Sequence, residues 1–120
     1  MIESIISMEL PAGGHLAIRR NRICPEQETK QCRRISLVSG IHGDELEGQY
    51  ICYETARRVK EHPEYLKGIV DIYPALNPLG IDMASRTVLR LEMDMNRMFP
   101  GDASGDMMER ITAAVVDSII

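Results

Sequence analysis

Between Leu37 and Gly48 the sequence reads LVSGIHGDELEG, an apolar run stopped by glycine, with one His, one Asp and two Glu crowded into the next few positions. His42 and Glu45 are the pair whose types suit metal chemistry. Imidazole nitrogen and carboxylate oxygen are ordinary zinc ligands, and a catalytic zinc commonly takes two His and one Glu while leaving a place for water. Gly40 and Gly43 on either side of His42 let the backbone turn sharply and approach a small ion. A plainer reading stands beside this one: Asp44 caps a helix, and Glu45 and Glu47 favour its first turn. A phosphate loop fits worse. The glycines at 40, 43 and 48 do not follow G-x-G-x-x-G, no G-K-[ST] follows, and the acidic residues would repel a phosphate.

A second constellation lies in NPLGIDMASRTVLRLEMDMNRMFPG, residues 77–101. Arg86, Arg90, Asn96 and Arg97 are its chemical groups. Guanidinium clamps a carboxylate in bidentate geometry, and a neighbouring amide can fix a second oxygen. Asn96 and Arg97 followed by Phe-Pro-Gly suggest a rigid turn presenting donors to an anionic substrate. The alternative is a surface loop of solvated charges, and for Arg90, set among leucines, that alternative is preferred.

Both groups need elements to position them. Residues 2–10 and 15–23 are predicted strands, the second toward a sheet edge because of Arg19, Arg20 and Arg22. Residues 24–32 are a polar connection, and 34–40 a short apolar run that fits a buried strand. A helix is predicted from Asp44 to about Glu61, with Leu46, Tyr50, Ala56 and Val59 on its apolar face, acidic residues in the first turn and basic ones in the last. Residues 68–76 are another buried strand. Strand, helix, strand in this order makes a parallel crossover, and ligand sites in such sheets sit at the carboxyl ends of strands. Residues 77–105 show no sustained period, and loops this long are commonly functional or disordered. A final helix over 106–120 places Met107, Ile111, Ala114, Val115 and Ile119 on one side. The fold class is therefore α/β, a mixed sheet with a parallel core flanked by helices.

In this order and spacing, GIHGDELEG, NPLG and DMNRMFPG resemble the succinylglutamate desuccinylase/aspartoacylase family, which is related to the zinc carboxypeptidases. The likeness runs from about Ile35 to Gly101. It implies a zinc-carboxypeptidase-like fold (phosphorylase/hydrolase-like), here as an N-terminal portion covering 1–120 and incomplete at its C-terminus. It also implies a zinc-dependent amide hydrolase acting on N-acyl amino acids or related small carboxylates. His42 and Glu45 would be zinc ligands. Asn96 and Arg97 would hold the substrate carboxylate, and Arg86 would polarise the scissile carbonyl or bind a carboxylate. Asp94 would buttress the turn.

The family's third zinc ligand, a His, and its Glu general base fall beyond the positions present here. His62 and Cys52 stand too far along the helix to replace the ligand, and Glu47 should point away from Glu45. The expectation is half of a site: weak zinc binding and little or no turnover by these 120 residues alone. The alternatives are a peptide-trimming zinc carboxypeptidase, a non-catalytic anion-binding module, or an interaction domain that self-associates through Ile111, Val115 and Ile119.

The bulk composition agrees. With a net charge of −4 and no basic run, a nucleic-acid partner is not expected, whereas a small anionic substrate is. Cys24, Cys32 and Cys52 show no C-x-x-C spacing, which suits reduced thiols in the cytoplasm. No apolar run has the ~20 residues that would span a bilayer, so no membrane partner is expected.

Overall fold

The computed structural model describes residues 1–27, 31–88 and 92–120. It contains one four-stranded sheet in the order β1–β2–β4–β3. The strands are β1 (Ile2–Glu9), β2 (His15–Ile23), β3 (Arg34–Val38) and β4 (Ile69–Tyr73). The helices are α1 (Glu47–Glu61), a single short turn α2 (Pro78–Asp82), and α3 (Met107–Ile119). The β1–β2 and β2–β4 pairs are antiparallel and β3–β4 is parallel, joined through α1 as strand–helix–strand order requires. The sheet is thus the mixed α/β sheet expected.

Strand β4 reads IVDIY and is buried on both faces. One face carries Val70 and Ile72, which join Cys52 of α1 in a small core. The other carries Asp71 and Tyr73, and around Tyr73 the larger core gathers Leu16, Ile18, Leu76, Met95, Met108, Ile111 and Val115. Period-two alternation explains why one strand serves two cores.

Two strand placements reverse the expectation. β2 is not at an edge but between β1 and β4. Two of its three arginines are paired rather than solvated: Nε and Nη2 of Arg22 both donate to the carboxylate of Asp71 at 2.7 Å, and Arg20 pairs with Glu3 of β1, while Arg19 is exposed. Asp71 is fully buried, so this bidentate pair is what makes its burial tolerable. β3, expected to be buried, has Arg34, Ile35 and Val38 exposed, and no strand among the described residues pairs with its outer edge.

Helix α1 begins at Glu47 rather than Asp44, and Leu46 at its N-cap makes no side-chain cap bond. Its inward face is Cys52 with Ala56, while Leu46 and Tyr50, assigned to the apolar face, are exposed along with Ile51. α3 starts where a capping box requires. The Asp106 side chain accepts from the Glu109 N–H at 3.0 Å, and the Glu109 side chain accepts from the Asp106 N–H at 2.9 Å. At the other end of α3, Nη1 of Arg20 donates to Ser118 Oγ at 3.2 Å and Arg34 donates to the Ile119 carbonyl. Cations thereby meet the negative end of the helix dipole.

Two of the three residues offered for self-association face inward. Ile111 and Val115 are 2% and 1% exposed, packed against this chain's own sheet. The apolar side of α3 is spent inside the core because Leu16, Ile18 and Tyr73 supply the complementary face. No helix among the described residues is long and apolar enough to cross a membrane.

Candidate metal centre

The loop that leaves β3 is zipped to the segment that leaves β4. Ser39 N–H donates to Tyr73 O at 2.9 Å, Asn77 N–H to Gly40 O at 2.7 Å, and Leu76 N–H to Ser39 O at 3.2 Å. Gly40 takes a left-handed φ of 70°. Gly43 lies against the backbone of Gly80 so closely that a Cβ there would fall 2.0 Å from the Gly80 carbonyl carbon. Only glycine permits this approach. It also lets the Gly43 N–H donate to Ser85 O at 2.8 Å, which ties the His42 loop to the loop carrying Arg86.

Asn77 is the internal staple. Its Oδ1 accepts from Gly80 N–H at 2.9 Å, while Nδ2 donates to Ile41 O at 3.2 Å and Thr87 O at 3.3 Å. It is 2% exposed, so each bond is made away from water. The NPLG motif was legible in the sequence, but the role of its Asn was not. An Asn before Pro at a helix start announces the cap; nothing in the order of residues announces the bonds to residues 41 and 87.

This scaffold brings His42, Glu45, Arg86 and Asp94 together. His42 Nδ1 lies 3.2 Å from Glu45 Oε1, and its Nε2 lies 3.0 Å from Asp94 Oδ1. Arg86 reaches Glu45 Oε1 with Nη1 at 3.3 Å and Asp94 Oδ2 with Nη2 at 3.5 Å. Asp94 also accepts from the Asn96 N–H at 3.0 Å, capping the 3-10 turn Met95–Arg97. The His42 hydrogen bond, and after it the Asn96 N–H, hold the Asp94 carboxyl below the usual carboxylate range. Asp94 is therefore ionised at neutral pH and can only accept, so the proton of this contact sits on His42 Nε2. Asp94 does buttress the turn, as expected, and grips the imidazole as well.

A pocket of about 380 Å³ opens beside this group, lined among others by Ser39, His42, Glu45, Glu47 and Asn96. Glu47, expected to point away, lines the same pocket, because Glu45 precedes the helix and the two are not successive helical positions. Asn96 faces the pocket. Arg97 is exposed and not among its lining residues, and it has no ion pair with another described residue. Arg90 lies outside the described residues.

The donors can be tested against a zinc ion. Two ligands at about 2.0–2.1 Å on a tetrahedral ion stand roughly 3.3 Å apart. The 3.2 Å between His42 Nδ1 and Glu45 Oε1 matches that spacing. A carboxylate on the far imidazole nitrogen is the usual partner of a metal-ligating His. The pair fits two corners of a site. Among the described residues no group of three His, Cys, Asp or Glu could hold a metal ion, so a complete cage is not formed.

Comparison with known proteins bears directly on this arrangement. The model of the succinylglutamate desuccinylase/aspartoacylase catalytic domain matches residues 31–119. The chain belongs to this family. The family match spans β3 through α3 and so contains every residue of the candidate centre. An N-alpha-acetyl-L-2,4-diaminobutyric acid deacetylase from Halomonas elongata is 35% identical over 75 residues, 62% of this chain and 21% of the relative. The solved succinylglutamate desuccinylase/aspartoacylase from Rhodobacter sphaeroides is 31% identical, with a TM-score of 0.72 over 90% of this chain and 31% of its own. The product-bound ectoine utilization protein from Ruegeria pomeroyi is 27% identical, with a TM-score of 0.73 over 90% and 32%. This aspartoacylase-family chain thus spans about a third of the length of those solved relatives. By their names the Halomonas relative is a deacetylase and the Rhodobacter one a desuccinylase/aspartoacylase, both deacylases.

Proposed function

We propose that residues 1–120 carry part of the active site of a zinc-dependent hydrolase of amide bonds in N-acyl amino acids or related small carboxylates. The observation that carries the reading is the geometry around His42. One nitrogen stands a ligand–ligand distance from Glu45 and the other is held by the ionised Asp94. The name of the Halomonas relative, an N-acetyl amino acid deacetylase, supports the substrate class.

In this reading His42 and Glu45 hold the ion, with a third ligand and a general base supplied from outside these residues. Bound zinc supplies Lewis acidity toward a carbonyl and a lowered pKa for water. Asp94 keeps the proton on Nε2, leaving the Nδ1 lone pair available. Arg86 offers charge to a developing oxyanion or to a carboxylate. Asn96 and Arg97 orient the substrate carboxylate, fixing the acyl group relative to the ion.

The test is zinc titration of the 120-residue chain with His42→Ala and Glu45→Gln alongside. Weak binding that either substitution abolishes is expected, with little or no turnover of N-acetyl amino acids. Zinc binding indifferent to both substitutions would sink the proposal. Succinate binding that needs neither zinc nor His42 would favour an anion-binding module instead.

A further inference from the structure

The segment that presents Asn96 to the pocket is fastened from behind to α3, although no residue of α3 lines that pocket among the described residues. Met95 is 2% exposed and sits in the larger core with Met108 and Ile111 of α3. Thr112 Oγ1 stands 3.3 Å from the carbonyl oxygen of Met98, the residue that closes the turn Met95–Arg97. Gly101 takes a left-handed φ of 79° and approaches α3 so closely that a Cβ there would fall 2.2 Å from the same Oγ1. The Asp102 N–H then donates to Glu109 O at 3.1 Å. We infer that Thr112 is a positioning residue for Asn96: its hydroxyl, from outside the pocket, sets where the Asn96 amide stands and so how tightly a small carboxylate is held there. This rests on the reading of Asn96 as a carboxylate ligand and needs no metal.

Thr112 is fully buried, and its Oγ1 also lies 3.0 Å from Met108 O and 3.1 Å from Glu109 O. A hydroxyl has a single proton to give. The carbonyls of Met108 and Glu109 are ordinary acceptors within the helix, and Glu109 O takes the Asp102 N–H as well. Met98 O has no other donor among the described residues. The proton therefore does most at Met98, where it supplies a bond that nothing else makes. Oxygen at this position also suits the close approach of Gly101, because a methyl group there would need more room and would push the segment away from the helix. Displacement passes to Asn96 because the turn is internally bonded: the Met98 N–H donates to Met95 O and the Arg97 N–H to Asp94 O, both at 3.0 Å.

The experiment uses the 120-residue chain. Thr112→Val keeps the side-chain shape and removes the hydroxyl, and Thr112→Ser keeps the hydroxyl. Val70→Ala, in the smaller core, is the control for a general loss of stability. Succinate is titrated with and without zinc and followed by NMR at the Asn96 side-chain amide. Thr112→Val should weaken succinate binding about ten-fold in whichever condition the wild-type chain binds it, as misplacement of a positioned group does. Backbone amide exchange at Asn96 and Arg97 should accelerate in the same variant. Thr112→Ser should bind succinate like the wild type, and Val70→Ala should leave both readouts unchanged. No succinate-dependent shift at Asn96 in either condition sinks the carboxylate reading and the positioning role with it. If succinate moves the Asn96 amide and Thr112→Val leaves the affinity unchanged, the carboxylate reading stands and the positioning role is overturned. Equal losses in Thr112→Val and Val70→Ala, or no recovery in Thr112→Ser, overturn it too, since the hydroxyl would then not be what sets the affinity.

Discussion

Asp94, in the turn before the third helix, accepts the Nε2 proton of His42 from a position 52 residues later in the chain, at 3.0 Å. In the proposed metal reading, that bond leaves Nδ1, which lies 3.2 Å from Glu45 Oε1, as the ligating nitrogen. Asp94→Asn keeps a capping oxygen for the Asn96 N–H but loses the charge on His42. Zinc affinity should fall about 10- to 100-fold, the usual consequence of removing a metal ligand's outer partner. Chelator competition would check it, and unchanged affinity would show that Asp94 serves the turn alone.

Asn77 ties three backbone groups together from a buried position. Asn77→Ala should cost about 1–3 kcal/mol for the groups left without partners. Urea denaturation measures the loss. Amide exchange at Gly80 should accelerate more than at Ile72, because the damage is local to the staple.

Gly43 leaves no room for a side chain. Gly43→Ala should destabilise by about 3 kcal/mol through forced backbone displacement. It should also break the Gly43–Ser85 bond that joins the His42 loop to the Arg86 loop. A folded variant with unaltered zinc binding would contradict the role assigned to this close approach.

Val115 is 1% exposed in the larger core. Val115→Asp should lower stability by about 4 kcal/mol or unfold the chain, since a charge would be buried without a partner. Circular dichroism distinguishes this from the expectation of a surface residue, which would leave the fold intact and alter only association.

Asp102 accepts from the N–H and hydroxyl of Ser104, and these bonds hold its carboxyl below the ordinary range. A depressed folded pKa means a stabilising contribution that is present above the unfolded value and disappears as pH falls through the folded one. NMR titration should place Asp102 below a model aspartate, and Ser104→Ala should move it upward. A normal titration would refute the turn geometry.

The sequence by itself determined the types of the four strands and of α1 and α3, the strand–helix–strand unit and the identity of the candidate ligands, but it left α2 and the turn at Met95–Arg97 unread. Those follow from local pattern: apolar runs ended by glycine, a helical period, and three motifs in a family order. It did not determine which strands lie inside the sheet. Arg20 and Arg22 look like edge residues until Glu3 and Asp71 are placed across from them. Nor could it place Leu46 and Tyr50, whose helical spacing says which face they share but not whether anything covers it. The centre divides the same way. His42 and Glu45 are near neighbours in the chain, so their pairing is local and readable. Asp94 and Arg86 reach them only because the loops after β3 and β4 are bonded edge to edge around Asn77. Long-range contacts of that kind depend on how the backbone closes, and residue order alone does not encode them in any local period.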